Sequence, residues 1–212
     1  MAVATFSAPP TAEQQTALAS LGLDVQRMKH LPLAIVRGTR AQLLSAVSSG
    51  VANDVYPDDR MQYFWDVSNR PMKADSAQAL GWTGKGVQVA VVDSGIDATH
   101  PDLADHVVHN VKLLGPEYAN QHPDAPPGTL VLPIEAGPYN NTDLASGHGT
   151  HVAGIIAADG TTSPSQRGVA PDAELIGYAI GDVVFTTAVI SAYDHILDHP
   201  EWGIDVVNNS WG

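Results

Sequence analysis

The chain has 212 residues, 44% of them apolar, and its ten Lys and Arg against 23 Asp and Glu give a formal charge of −13. That balance excludes a nucleic-acid binder working through a basic footprint, and the lack of cysteine excludes disulfides, thiolate zinc sites and a cysteine nucleophile. No apolar run approaches the roughly 18 residues of a membrane span, and the start, "MAVATFSAPP", has neither the basic nor the apolar region of a signal peptide, so a secreted precursor without its leader and a cytoplasmic protein both stay open.

Residues 1 to about 60 read as a small α+β unit. "AVATF" is strand-like, and "TAEQQTALASLG" is a helix pattern with Thr11 at its N-cap and Gly22 at its end. "LDVQRMKHLPLAIVRGT" alternates as a hairpin does, "RAQLLSAVSSG" is a second helix closed by Gly50, and "VANDVYPDD" is a last strand. The order β-α-β-β-α-β predicts a ferredoxin-like arrangement, small enough to be marginally stable alone. Residues 61–81 read as a linker.

From Trp82 onward strands and helices alternate. "GVQVAVVD" is an unbroken apolar run, as expected of a parallel strand buried on both faces. "VVHNVKLL" is a further strand, and residues 115 to 146, rich in Pro, Gly and Asn, read as a long surface loop. "GTHVAGIIAA" reads as a helix, "AELIGYAI" as a strand, "TTAVISAYDHILDH" as a helix and "IDVVNNSWG" as a strand. The expectation is an α/β fold with a doubly wound parallel sheet over residues 82–212.

In such a sheet, ligands and reacting groups collect beyond the carboxyl ends of the strands. Asp93 stands there, in "DSGID". It reads as a phosphoacceptor, as half of a carboxylate pair for a hard cation, or as a plain turn. His148 and His151 lie one helical turn apart near a helix start. A metal pair, a working base with a bystander, and two packed histidines all fit, although the i, i+4 spacing and intervening glutamate of zinc helices are missing. Val152 and Ala153 imply burial for His151, whereas Gly147 and Gly149 imply an accessible ring for His148.

"VAVVDSGIDATHPDL", "GHGTHVAGIIAA", "GVAP" and "VVNNSWG" follow one another in that order. Together they resemble the subtilisin-like serine proteases, over about residues 82 to 212. The resemblance implies that Asp93 orients and charge-stabilises an imidazole, that His148 is the general base, 55 positions further on, and that His151 is structural. It implies that Ala153 and Gly154 let their helix lie close to the sheet. Ser210, Trp211 and Gly212 then pair with a peptide or protein substrate through their main chain, and Gly181 lines the other side of that cleft, unless it is only a surface turn. Asp102, in "HPDL", matches a position that binds structural Ca²⁺ in the family, although "DGTTSPSQRG" departs from the usual partner loop and a turn cap is the plainer reading. No cofactor is implied for the chemistry.

The family's oxyanion-hole asparagine and its nucleophile in a G-T-S-M-A-x-P-like setting do not occur in these 212 residues. Ser94, Ser146, Ser191 and Ser210 stand in other contexts. The sheet is therefore expected to be incomplete at its C-terminal end, and the polypeptide alone to be inactive. The resemblance also implies secretion, and a prodomain in residues 1–60 that chaperones folding and whose tail, between about Asp59 and Met72, blocks the cleft. Nucleic acid and membrane are not among the expected partners. Two other readings remain: an inactive prodomain-plus-scaffold protein that binds or inhibits proteases, and a Mg²⁺-dependent phosphohydrolase built on "DSGID", which leaves "GHGTHVAG" unexplained.

Overall fold

A computed structural model describes residues 1–61, 73–123, 125–138 and 140–212. In chain order its elements are β1 (Ala2–Thr5), α1 (Ala12–Ser20), β2 (Asp24–Arg27), β3 (Leu33–Arg37), α2 (Arg40–Ser48), β4 (Asp54–Pro57), β5 (Arg60–Met61) and α3 (Ala74–Ala79). There follow β6 (Gln88–Asp93), β7 (Val107–Leu114), α4 (Pro116–Ala119), β8 (Leu132–Glu135), α5 (His148–Ala157), β9 (Glu174–Ala179), β10 (Val184–Phe185), α6 (Thr186–Asp198) and β11 (Val206–Asn208). They form two compact units: residues 1–60 with 114–133 and 185–199, and residues 61–113 with 134–184 and 200–212.

The first unit is built on a four-stranded sheet in the order β2-β3-β1-β4. β1 runs antiparallel to β3 and β4, pairing Ala2 with Val36 and with Pro57. Thr11 and Thr39 start α1 and α2 with capping boxes: each hydroxyl accepts the N–H of a glutamine three residues on, whose side chain returns a bond to the cap N–H. Strand alternation gives the sheet two apolar faces. Ala2, Ala4, Ala34 and Val36 share a core with Leu18 and Ala46 of the helices. Val3 and Ile35 lie at the intervening positions and are equally buried, and α6 lies against β1.

α6 has no side-chain cap of its own. Asp58 supplies one, accepting from Thr187 N–H at 3.1 Å and Thr187 Oγ1 at 2.9 Å. Further along the helix, Asp194 accepts the backbone N–H groups of Lys29 and His30 at 2.9 and 2.7 Å. Asp198 pairs with the Lys29 ammonium and lies 3.2 Å from His30 Nε2. These contacts hold the Asp198 carboxyl below the usual carboxylate range, chiefly through Lys29.

The second unit contains a five-stranded sheet in the order β11-β6-β9-β7-β8. β6 is parallel to β11 and β9, and β9 is parallel to β7. β6 is buried from Val89 to Asp93, as its apolar run predicts. Its side chains meet α5 in a core of Val89, Val91, Ile96, Val152, Ala153 and Leu175.

The segment 115–146 differs from the expected surface loop. It contains α4 and β8, and Ala119, Leu130, Val131, Thr142 and Asp143 are buried. The physical reason is local. Leu130 and Val131 are apolar, and their N–H groups are satisfied by the Gln26 side-chain carbonyl at 2.6 and 2.8 Å, so that stretch is buried without orphaned donors. Of the expected linker, residues 62–72 lie outside the described residues, as does most of the expected prodomain tail. The remainder includes α3, where Gln78 Nε2 donates to the Gly168 and Val169 carbonyls.

Candidate active site

Asp93 is the last residue of β6 and is fully buried. Its Oδ1 receives the Ser94 N–H at 2.7 Å and lies 2.7 Å from Nδ1 of His148, the first residue of α5. Burial pushes the Asp93 carboxyl above its ordinary range. Hydrogen bonds from His148 and Ser94 N–H and the imidazole's charge oppose that rise, and the negative charge of Asp143 adds to it. Among the described residues, Asp93 Oδ2 is buried with no hydrogen-bond partner, which fits a carboxylate whose charge is costly to keep.

The two histidines exchange the environments their neighbours imply. His148 is 0% exposed, whereas His151 is on the surface. The glycines around His148 serve backbone geometry, not access. Gly147 is the N-cap of α5 with φ +74°, a left-handed conformation that side chains disfavour. A Cβ on Gly149 would sit 2.1 Å from Gly95 O, so the helix start presses directly on the turn after β6. Gly154, expected to provide such a close approach, has nothing within 4 Å of a Cβ, while Ala153 is fully buried.

Asp143, which the sequence does not single out, ties these parts together. Its Oδ1 accepts from Ser94 Oγ and Gly147 N–H, both at 2.9 Å. Its Oδ2 accepts from Thr150 N–H at 3.0 Å and Thr150 Oγ1 at 2.7 Å. Ser94 Oγ in turn accepts the Gly149 N–H at 2.8 Å, and Thr142 links Ile96 to the buried Asn110. The available signal was an aspartate shortly before a helix start, a setting in which carboxylates satisfy exposed N–H groups.

The predicted cleft residues collect at the same sheet edge. Asp93 pairs with Ala179 and Val91 with Asn208, so β6, β9 and β11 end together. Ile180 N–H donates to Asp93 O at 2.8 Å, and Gly181 follows with φ +100°. Gly181 and Asp182 line a cavity of about 90 Å³ with Ser94, Lys112, Thr142 and Leu144, room for a small side chain or a few waters. Ser210 Oγ donates to Asn208 Oδ1, and Trp211 Nε1 donates to the Val92 carbonyl at 2.7 Å, which fixes the segment leading to Gly212.

Asp102 is held by Thr162, in the loop after α5. Thr162 N–H donates to its Oδ1 at 2.6 Å and Thr162 Oγ1 to its Oδ2 at 2.5 Å, and these bonds hold its carboxyl below the ordinary range. Among the described residues, no group of three or more His, Cys, Asp or Glu side chains is placed to hold a metal ion. No described helix is long and apolar enough to cross a membrane.

The sequence profile of the subtilase family (peptidase S8) matches residues 84–212. Subtilisin E of Bacillus subtilis (strain 168) is 39% identical over 145 residues, covering 66% of this chain and 31% of its own length. The minor extracellular protease Vpr of the same strain is 35% identical over 142 residues, covering 66% of this chain and 15% of its own. The crystal structure of fervidolysin from Fervidobacterium pennivorans, a keratinolytic enzyme related to subtilisin, superposes with a TM-score of 0.68 at 17% identity, over 100% of this chain and 35% of that one. That likeness shows a subtilisin-like α/β fold. The chain spans about a third of the length of subtilisin E. With the family profile covering more than half of its residues, the chain belongs to the subtilase family.

Proposed function

We propose that this chain is part of a serine endopeptidase precursor that hydrolyses peptide bonds through an Asp-His-Ser triad. The single observation that carries the reading is the 2.7 Å contact between two fully buried groups, Asp93 and His148, brought from elements 55 positions apart. With Nδ1–H donated to Asp93, His148 is fixed in the tautomer whose Nε2 takes a serine proton and later returns it to the leaving amine, an arrangement for which subtilisin itself is a standard example. Asp93 orients the ring and stabilises the imidazolium. The serine and the oxyanion-hole asparagine belong to the part of the protease that follows residue 212. Main-chain groups of Ser210, Trp211, Gly212 and Gly181 bind the peptide as an added strand, and the sheet is doubly wound in the complete domain.

Residues 1–60 act as a ferredoxin-like prodomain, an inhibitor and folding chaperone. The β-α-β-β-α-β order supports this, as do the bonds from Asp58, Lys29 and His30 to α6, which lies within the stretch matched by the family profile. The extracellular relative supports secretion.

The test compares this 212-residue polypeptide with a longer one continued through a subtilase nucleophile segment, both incubated with labelled casein. The short form is expected to give no turnover. The long form is expected to cleave, and H148A to abolish that cleavage; the reference loss, known from subtilisin itself, is about 10⁶-fold in kcat. Turnover by the short form, or a long form indifferent to H148A, overturns the reading. An inactive long form that still binds a protease favours the inhibitor-scaffold alternative.

A further inference from the structure

We propose that Asp143 is the positioning residue of the His148–Asp93 couple, acting through the Ser94 hydroxyl and the first turn of α5. The inference rests on the protease reading and adds a residue to it. Four donors converge on this one buried carboxylate: Ser94 Oγ, Gly147 N–H, Thr150 N–H and Thr150 Oγ1. Three of them belong to Gly147 and Thr150, on either side of His148, and the fourth to Ser94, next to Asp93. Asp143 therefore fixes the strand end and the helix start against each other at the point where the two reacting side chains meet.

The connection is continuous. Asp143 Oδ1 orients the Ser94 hydroxyl, whose lone pair then faces the Gly149 N–H, while the Ser94 N–H holds Asp93 Oδ1. An amide cannot replace this carboxylate. In either orientation, its NH₂ would face a backbone N–H, of Gly147 or of Thr150, that it cannot accept, and it could bond the neighbouring hydroxyl only by turning that hydroxyl's proton away. The charge of Asp143 also reaches Asp93, raising its carboxyl in the same sense as burial does. A residue serving only to cap a helix would not sit in contact with the turn that carries the partner carboxylate.

The experiment uses the 212-residue chain and NMR of labelled His148 and Asp93. In the unchanged chain, the His148 Nδ1 proton is expected far downfield and slow to exchange, and its absence would sink the underlying protease reading. In D143N, that proton is expected to exchange at least ~tenfold faster, and the Asp93 carboxyl midpoint to fall because a neighbouring negative charge is gone. S94A is expected to speed the exchange while leaving the midpoint in place, since Asp143 remains charged. A folded D143N with exchange and midpoint unchanged overturns the proposal. If D143N does not fold, S94A decides, and an unaltered Nδ1 proton there overturns it.

Discussion

At the scale of the residue, Asp93 carries the cost of the site. It is fully buried, one of its oxygens has no partner among the described residues, and its carboxyl is raised above the ordinary range chiefly by burial. A raised carboxylate in the fold means that the native state holds its proton to higher pH than the unfolded chain does. Its contribution to stability is then complete below the unfolded value and is lost as pH rises through the folded one. D93N, which keeps an oxygen for Ser94 N–H and His148, is therefore expected to be more stable than the parent chain at pH 7. The advantage should shrink as pH falls below the raised carboxyl's range. Urea midpoints across pH 4 to 7 would show it, and an advantage independent of pH would contradict the assignment of the cost to charge.

Among the elements, the approach of α5 to the turn after β6 depends on one glycine. G149A places a Cβ 2.1 Å from the Gly95 carbonyl, where only backbone movement relieves the clash, and it is expected to cost on the order of 3 kcal/mol or more. G154A adds its Cβ where nothing lies within 4 Å and is expected to be neutral or to gain roughly 0.5–1 kcal/mol from helix propensity. Equal effects in thermal unfolding would refute the distinction. The sequence makes helix α5, strand β6 and the cap at Thr11 readable, because each rests on local periodicity or a three-residue capping pattern. It does not reveal that His148 is buried and His151 exposed, since glycine is silent about whether it opens space or lets two backbones meet. Gln26 holding Leu130 and Val131 is invisible for another reason: a single side chain satisfies N–H groups more than a hundred positions away. Asp143 is partly hidden likewise: its bonds to the first turn of α5 are local, but its bond to Ser94 spans 49 positions.

Within the unit formed by residues 1–60 and α6, the bonds along that helix differ in kind. Asp194 accepts two backbone N–H groups, those of Lys29 and His30, which the hairpin turn does not otherwise satisfy through its own strands. The Lys29–Asp198 pair is exposed, with 65% and 37% of the two side chains open to solvent. It is screened by salt and must immobilise a long side chain. In a molecule of formal charge −13, counting ion pairs would favour Lys29 as the stronger anchor, because a cation is scarce there. Two backbone donors argue the opposite: Lys29 and His30 are themselves exposed, yet two charge-assisted bonds from fixed peptide N–H groups to one carboxylate hold the turn more firmly than a single ion pair to a mobile ammonium. D194A is therefore expected to cost roughly 1 kcal/mol of the unit's stability, with faster amide exchange in the β2–β3 hairpin, whereas K29A costs at most ~0.5 kcal/mol and less still in high salt. Hydrogen exchange on the two variants at low and high salt separates the alternatives, because a larger, salt-sensitive loss in K29A would mean that charge, not backbone satisfaction, holds α6.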